Sequence, residues 1–96
     1  MSVYTIIEIK IKDNVTYASY VEKVRAIVEK YKGRYLVRGG KITPISGNWN
    51  PERIVVIEFP SSQDIRLWLS SSEYKEIVGL REISTITKAI MVGGVK

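Results

Sequence analysis

Two kinds of hydrophobic periodicity alternate along the sequence, and their order limits the fold more than any other feature. Helical spacing, with apolar residues every three or four positions, follows Asp13 and again follows Ser61. Strand-like runs of apolar residues occur in four segments: 3–11, 34–45, 53–59 and 84–92. The order strand, helix, strand, strand, helix, strand predicts an α+β fold of the ferredoxin-like βαββαβ type. In that plait, four antiparallel strands form one sheet, and two helices cover one of its faces.

Short polar residues and glycine predict where the helices begin and end. Asp13 or Asn14 is placed to accept hydrogen bonds from the first turn of the first helix, and Gly33 is placed to end it. Ser61 and Asp64 have the spacing of a capping box at the start of the second helix. These signals give both helices a defined start and the first helix a defined end.

The central hairpin and the second helix each contain an interruption. We predict that the first hairpin strand runs from Arg34 to Ile45, with Gly39-Gly40 as a bulge or bend inside it. Three consecutive serines, residues 70–72, are expected to interrupt the second helix and to cap a shorter one after it. The hairpin and the split helix therefore occupy the middle of the chain.

Composition excludes several kinds of chemistry. The chain has 96 residues and contains neither cysteine nor histidine. A chain of this length forms one domain, so we assign residues 1–96 to it, with 93–96 as a loose tail. Disulfides, thiolate nucleophiles, Ser-His catalysis and the common zinc and haem ligands are excluded. We expect no metal and no cofactor, and any general acid or base must be a carboxylate, tyrosine or lysine with a shifted pKa.

The net charge of +5 does not by itself indicate a nucleic-acid partner, because basic and acidic residues are interspersed. RNA-recognition domains share the predicted element order, but they place stacking aromatic residues in the middle of the first and third strands. Here Tyr4 stands alone, so RNA binding ranks last. There is no apolar run of about 18 residues and no basic-then-apolar leader, so we expect a cytoplasmic protein without a membrane partner.

Apolar side chains occupy both faces of at least two predicted strands. Residues 54–57 and 89–92 are continuous apolar runs, and Ile6 and Leu36 add to the face that two helices cannot cover. An exposed apolar sheet of this size is unfavourable in a monomer. We therefore predict a homodimer in which two sheets pack face to face and enclose a barrel-like interior, a dimeric α/β barrel.

Several short motifs spread over nearly the whole chain belong together. They are Gly33-Arg34-Tyr35-Leu36-Val37-Arg38-Gly39-Gly40, then Trp49, Pro51 and Arg53, the run from Val55 to Ser61, Trp68, the cluster of Ser71, Glu73 and Tyr74, and Arg81. This combination resembles the domain of unknown function 1330 family. The resemblance implies the dimeric α/β-barrel superfamily, which includes cofactor-free monooxygenases, muconolactone-isomerase-like proteins and haem-degrading enzymes. The family has no established activity, so the resemblance assigns no catalytic residue. Lys32 departs from the family pattern, which often has a second glycine there.

Strand alternation predicts which polar side chains share the uncovered face of the sheet. If one face of the first strand packs on the helices, the other presents the candidate catalytic residues Tyr4 and Glu8, and the same alternation adds Glu58. Arg34 and Arg38 are expected on that side as well, so Glu8, Glu58 and Arg38 are predicted to lie close together. The further ligand-binding candidates are Trp49, Arg53 and Tyr74.

The predicted cluster has a functional and a structural interpretation. In the functional one, Arg38 holds a small anionic or aromatic ligand, while Glu58 or Glu8, its pKa raised, moves a proton. In the structural one, the same charges form a cross-strand ion pair that fixes strand register or seals the dimer. The function predicted from the sequence is that of a homodimer with a small-molecule cleft between its two sheets, acting there as a cofactor-free isomerase or monooxygenase-like enzyme. The alternative is a non-catalytic small-molecule-binding or stress-related dimer.

Overall fold

Four strands and three helices follow one another in the predicted order, in a computed structural model that describes residues 1–95. The third helix arises because the second predicted helix is split in two. The elements are β1 (Val3–Ile11), α1 (Asn14–Lys30), β2 (Arg34–Arg38), β3 (Arg53–Phe59), α2 (Ser62–Ser70), α3 (Ser72–Ser84) and β4 (Thr85–Gly93).

The strands form one antiparallel sheet in the order β2-β3-β1-β4. Tyr4 of β1 lies opposite Glu58 of β3 on one side and opposite Val92 of β4 on the other. The sheet is open, with β2 and β4 at its edges. This arrangement confirms the ferredoxin-like α+β fold. The first and third strands are neighbours, and the third pairs with the second.

The capping residues explain why the helices begin where they do. Asp13 is the N-cap of α1, where its carboxylate accepts hydrogen bonds from the amides of Val15 and Thr16 at 3.1 and 3.2 Å. Ser71 separates α2 from α3: its hydroxyl donates to the Trp68 carbonyl at 2.8 Å and accepts from the Tyr74 amide at 3.1 Å. One serine thus ends one helix and starts the next, as the serine run predicted.

The core lies between the sheet and the helices. Phe59 and Ile57 of β3 are 0% and 1% exposed, and Ile65 of α2 is 1% exposed. Phe59 stacks on Trp68 of α2, with ring centroids 5.5 Å apart. From α1, successive turns add further buried apolar residues: Tyr17, Tyr20, Val24 and Val28. The amphipathic pattern of α1 therefore packs on the covered face of the sheet as expected.

The end of α1 differs from the prediction. The helix ends at Lys30, and Lys32 takes the left-handed conformation, with φ of 71°. Gly33 takes part in the helix end through its amide and not through a left-handed conformation, and a side chain there would collide with Val28 and Phe59. Its amide donates to the Val28 carbonyl at 2.9 Å. Lys32, where the family pattern often has glycine, thus occupies a backbone conformation that glycine adopts most readily.

The first hairpin strand is shorter than predicted. β2 ends at Arg38, and residues 39–52 form no further strand. Gly39 has φ of +75° and donates its amide to the Ile54 carbonyl at 3.0 Å, which turns the chain out of the sheet. A bend is found at Gly39, directly after the strand and not inside it, whereas the bulge lies between Tyr35 and Val37.

The C-terminal strand extends further than predicted. β4 runs from Thr85 to Gly93, and the Gly94 amide donates to the Ser2 carbonyl at 2.8 Å. Gly93 and Gly94 therefore do not belong to a loose tail, because pairing with β1 continues to the start of that strand. Lys96, the last residue assigned to the tail, lies outside the described residues.

The face of the sheet opposite the helices is apolar, as predicted. Its members include Ile6 and Val56, which are opposite each other, and Ile90 and Val92 of β4, which are 62% and 42% exposed. We call this surface, made by Ile6, Ile54, Val56, Ile90 and Val92, the open face. Among residues 1–95, no helix has the length and hydropathy needed to cross a bilayer.

Candidate functional site

A cavity of about 90 Å³ lies between the covered face of the sheet and the helices. Its walls are mainly apolar and aromatic, and every strand and helix contributes at least one residue. The strands supply Thr5, Ile7, Ile9, Tyr35, Arg38, Arg53, Val55, Ile57 and Ala89, and the helices supply Tyr17, Tyr20, Val21, Val24, Trp68, Leu69, Tyr74 and Arg81. We call this space the sheet–helix cavity.

Arg38 lines this cavity and not the open face. Because β2 has an extra residue between Tyr35 and Val37, Arg38 lies opposite Val55, on the side of the helices. Its guanidinium donates to the Val21 carbonyl at 2.8 Å and lies 4.7 Å from the centre of the Tyr35 ring. The prediction that Arg34 and Arg38 share one side is therefore wrong for Arg38.

Arg53, the first residue of β3, also lines the sheet–helix cavity. Its Nε donates to the Tyr17 hydroxyl at 3.1 Å, and its guanidinium carbon lies 5.6 Å from the centre of that ring. The backbone of Gly39 passes close to this guanidinium, and a side chain at residue 39 would collide with it. The turn at Gly39 and the placement of Arg53 thus depend on each other.

Tyr74 lies in the cavity wall as half of a pair of phenols. Its hydroxyl and that of Tyr20 are 2.9 Å apart, and both residues are buried. Burial, with a smaller contribution from Tyr74, raises the pKa of Tyr20 far above its usual value. Burial also raises the pKa of Tyr35 to about 12. Tyr20 and Tyr35 therefore stay protonated at neutral pH and offer hydroxyl groups, not phenolates.

Three buried polar atoms in residues of this cavity have no hydrogen-bond partner within residues 1–95: Thr5 Oγ1, Trp68 Nε1 and Arg81 Nε. The sequence motifs include Trp68 and Arg81, but sequence reasoning gave none of the three residues a binding role. A signal for Thr5 was present, since it is the one polar residue on the otherwise apolar side of β1. No comparable local signal identifies Arg81.

Glu58 belongs to a separate polar cluster at one end of the open face. Arg34 donates to it from Nε and from a terminal nitrogen at 3.1 and 2.6 Å, Ser2 donates at 2.6 Å, and Tyr4 at 3.5 Å. Hydrogen bonds from Ser2 and then from Arg34 lower the pKa of Glu58. A lowered pKa is what the ion-pair interpretation predicts, whereas the proton-transfer interpretation requires a raised one.

Glu8 lies at the other end of the open face. It is opposite Ile54 in β3, whereas Glu58 is opposite Tyr4, so the two carboxylates are separated by four positions along paired strands. The indole nitrogen of Trp49 donates to Glu8 at 3.3 Å, which fixes part of the hairpin loop on this face. The predicted trio of Glu8, Glu58 and Arg38 is therefore wrong, because its members occupy three different places.

The residues available for a metal are few. Within residues 1–95, no three or more aspartates and glutamates converge on a point where they would hold a metal ion. In the sheet–helix cavity, the charged side chains are three arginines, Arg38, Arg53 and Arg81, and the wall contains no carboxylate. The chemistry that this cavity offers is hydrogen-bond donation and positive charge within an apolar enclosure.

Solved structures with the same fold include proteins of unknown function and an oxygenase. RPA0582 from Rhodopseudomonas palustris, of unknown function, superposes with a TM-score of 0.82 at 15% identity, over 99% of this chain and 83% of that one. SnoaB, a cofactor-independent oxygenase from Streptomyces nogalater, gives 0.67 at 7% identity, over 99% and 94%. A dimeric ferredoxin-like protein of unknown function from Bacteroides fragilis gives 0.63 at 16% identity, over 97% and 96%.

These superpositions show a common fold, and at sequence identities this low they do not assign an activity. No curated protein matches the sequence. A family model described as a domain of unknown function, DUF1330, matches residues 2–95. The match covers nearly the whole chain and agrees with the motifs that first indicated it. The chain belongs to the DUF1330 family.

Proposed function

We propose that the protein binds a small, mainly apolar molecule in the sheet–helix cavity and that it does so as a homodimer. The cavity is the observation on which the binding proposal rests. Ligand sites in proteins are concave and largely apolar, with a few polar groups that set orientation. The sheet–helix cavity matches this description, because aliphatic and aromatic side chains enclose it and a few hydroxyl, indole and guanidinium groups interrupt them.

The size of the cavity limits what it holds without movement. A volume of about 90 Å³ equals roughly three water molecules. A ligand with an aromatic ring therefore needs side chains at the rim to move. Arg38 and Arg53 are suited to this, because both are partly exposed and each makes one hydrogen bond to another side chain or carbonyl within residues 1–95.

A cavity-filling variant tests the binding site. Val24 of α1 is 4% exposed and lines the cavity, so Val24→Phe should occupy part of the space. We expect thermal-shift measurements with small aromatic and aliphatic compounds to identify at least one that raises the melting temperature of the wild type, because a ligand bound only by the folded state stabilises it. The same compound should have little effect on Val24→Phe.

Leu67→Phe provides the matched control, because Leu67 is an exposed residue of α2 that does not line the cavity. This variant should respond to the compound as the wild type does. Equal responses of Val24→Phe and the wild type would place the binding site elsewhere. A panel without any stabilising compound would contradict the proposal.

The homodimer is proposed from the open face. Ile90 is 62% exposed, and its neighbours Ile6 and Val56 continue the apolar surface across β1 and β3. Pairing two sheets about a two-fold axis would cover both open faces at once. The protein from Bacteroides fragilis with this fold is described as dimeric, which supports the same assembly here.

Replacing Val56 with aspartate tests this assembly. A charge at the centre of an apolar interface is costly to bury, so Val56→Asp should reduce the sedimenting mass to that of one chain. Gln63→Asp, on the exposed side of α2, adds the same charge away from the open face and should leave the mass of the dimer unchanged. A monomeric wild type, or a dimeric Val56→Asp variant, would contradict sheet-to-sheet pairing.

A cofactor-free enzyme is the second candidate. The observation that favours it is the hydroxyl pair of Tyr20 and Tyr74 in the cavity wall, in a fold shared with the cofactor-independent oxygenase SnoaB. Without a cofactor, the substrate itself must supply the electrons, as when an activated CH₂ group and O₂ give a carbonyl group and water. Oxygen consumption with an electron-rich phenolic substrate, lost in Tyr74→Phe, is the expected result for an oxygenase.

An isomerase requires a base, and the cavity wall contains no carboxylate. Glu58, Glu8 and Tyr4 stay candidates only for a reaction at the open face, where Arg34 and Trp49 are the neighbouring ligand-binding candidates. A titration of Glu58 by NMR tests this role. A pKa above the usual range of a carboxyl group would support proton transfer, and a lowered pKa would support the structural ion pair.

A further inference from the structure

We infer that the sheet–helix cavity binds a carboxylate, with its oxygens held by Arg81, Trp68 and Thr5 and its apolar part against the surrounding walls. This inference rests on the proposed binding function, because it requires the cavity to be a ligand site. It adds the charge of the ligand and the residues that recognise it. Two independent observations lead to it: the unbalanced positive charge of the wall and the unpartnered polar atoms within it.

The charge of the cavity wall is unbalanced. Arg38, Arg53 and Arg81 line the cavity, and none of the residues around it is acidic. The ion pairs within residues 1–95 involve other basic residues, namely Arg25, Lys30, Lys32 and Arg34. A guanidinium group next to a low-dielectric enclosure gains from a counter-charge that the surrounding protein does not provide. An anionic ligand would supply it.

The unpartnered atoms indicate which residues of the wall would bind the charged group. Trp68 is 3% exposed and Thr5 is 6% exposed, so bulk water does not supply the missing hydrogen-bond partner of either side chain. Indole Nε1 and guanidinium Nε donate hydrogen bonds and cannot accept them. A ligand group that binds Trp68 and Arg81 must therefore be a hydrogen-bond acceptor. The Thr5 hydroxyl can donate to the same group.

Arg81 is distinct from the other two arginines. Arg38 already donates to the Val21 carbonyl and lies over Tyr35, and Arg53 donates to the Tyr17 hydroxyl. The Nε of Arg81 has no partner within residues 1–95. Three donors contributed by β1, α2 and α3 suit the two oxygens of a carboxylate, which accept several hydrogen bonds from different directions. Arg38 and Arg53 would then add long-range attraction.

Paired probes separate charge recognition from cavity filling. Propionate and propionamide, benzoate and benzamide, and 1-naphthoate and 1-naphthamide are near-identical in shape within each pair and differ in charge. The chain has two tryptophans, so the Trp49→Phe variant leaves Trp68 as the one indole reporter for a fluorescence titration. We expect the best-fitting acid to bind about 10- to 100-fold more tightly than its amide, the range of a charge-assisted hydrogen bond.

Arg81→Met tests the central residue, because it removes the guanidinium and keeps much of the apolar volume. It should abolish the preference for acid over amide while leaving amide affinity within about threefold. Trp68→Phe, followed by calorimetry, should weaken acid binding with less effect on the amide. Arg66→Met is the matched control: Arg66 is an exposed residue of α2 outside the cavity wall, and its loss should not change the preference.

The outcomes distinguish this inference from the function on which it rests. If acids and amides bind equally well and Val24→Phe blocks both, the cavity is a binding site and the charge inference is wrong. If a preference for acids survives in Arg81→Met, recognition occurs elsewhere and the assignment of Arg81 is wrong. If none of the six probes binds and no other compound stabilises the wild type, the proposed function itself fails. Water molecules alone bound to Trp68 and Thr5 in crystals grown with the acid would also contradict the inference.

Discussion

The two faces of the sheet differ in whether their charged side chains have partners of opposite charge. On the open face, Glu58 receives hydrogen bonds from Arg34, Ser2 and Tyr4, and its pKa is lowered as a result. On the covered face, Arg38, Arg53 and Arg81 surround a cavity whose wall contains no carboxylate. The protein itself supplies the partners of the charges on the open face, whereas the cavity charges without a carboxylate partner are the basis of our ligand proposal. A charged residue in an apolar strand therefore forms an ion pair on the open face and faces a cavity without carboxylates on the covered face.

The faces also differ in what covers their apolar residues. Neighbouring residues of β3 make the contrast, because Val55 is 6% exposed beneath the helices and Val56 belongs to the open face. Removing an apolar group from the covered face should lower the free energy of unfolding of the subunit itself. Removing one from the open face should mainly weaken the proposed association. Substitutions on the two faces therefore test whether the faces differ in this way.

The largest expected effect is that of Phe59→Ala on the covered face. Phe59 is fully buried and stacks on Trp68, so its truncation leaves a large cavity in the core. We expect the free energy of unfolding to fall by about 3–5 kcal/mol in urea denaturation. Leu67→Ala, at an exposed position of α2, should cost less than about 1 kcal/mol. A loss below about 1 kcal/mol for Phe59→Ala would show that the covered face is not the core.

Val55→Ala and Val56→Ala compare the two faces with the same chemical change. Val55→Ala should lower the free energy of unfolding by about 2 kcal/mol at any protein concentration, because it creates a cavity within the subunit. Val56→Ala should instead raise the dissociation constant of the dimer in sedimentation equilibrium. If both substitutions had the same, concentration-independent effect, the two faces would be equally covered within one chain.

Lys32→Gly should stabilise the connection between α1, on the covered face, and β2. Lys32 has φ of 71°, a conformation that costs a residue with a side chain more than it costs glycine. We expect a gain of about 0.5–1 kcal/mol in the free energy of unfolding, after the higher entropy of glycine in the unfolded chain is subtracted. Lys32→Ala is the control, because it removes the long ion pair with Asp64 and keeps the unfavourable conformation.

The smallest expected effect concerns the acid sensitivity of the open face. Because the pKa of Glu58 is lower in the folded state than the usual value of 4.5, its stabilisation is present above that value and is lost as the pH falls through the folded pKa. The difference in stability between the wild type and Glu58→Gln should therefore shrink below about pH 4.5. Glu22→Gln, at an exposed site on α1, should show a smaller pH dependence. A difference that grew with acid would indicate a raised pKa.

Local signals in the sequence predicted much of the fold. The limits of β1 and β3, the cap at Asp13 and the break at Ser71 follow from periodicity and capping, which depend on neighbouring residues alone. The apolar open face was predictable for the same reason, since continuous apolar runs exceed what two helices can cover. Features that depend on a few adjacent residues could therefore be predicted from the sequence.

The candidate site was not predictable in the same way. Alternation assigned Arg38 to the open face, and one extra residue in β2 places it on the other. Such a bulge depends on how β2 pairs with β3, so no rule based on the β2 sequence alone reveals it. That Thr5, Trp68 and Arg81 line one cavity depends on how β1 packs against α2 and α3, which lie more than 50 residues further along the chain. Pairing and packing, not local propensity, position this site.

The pairing irregularity between Tyr35 and Val37 affects how relatives align with this chain. Leu36 is surplus to the pairing, since the residues on either side of it lie opposite consecutive positions of β3. A homologue that lacks this one amino acid would keep Arg34 and Arg38 on the sides they occupy here. An alignment gap at position 36 is therefore compatible with an intact site, whereas a single-residue deletion within β1 or β3 would exchange inside for outside.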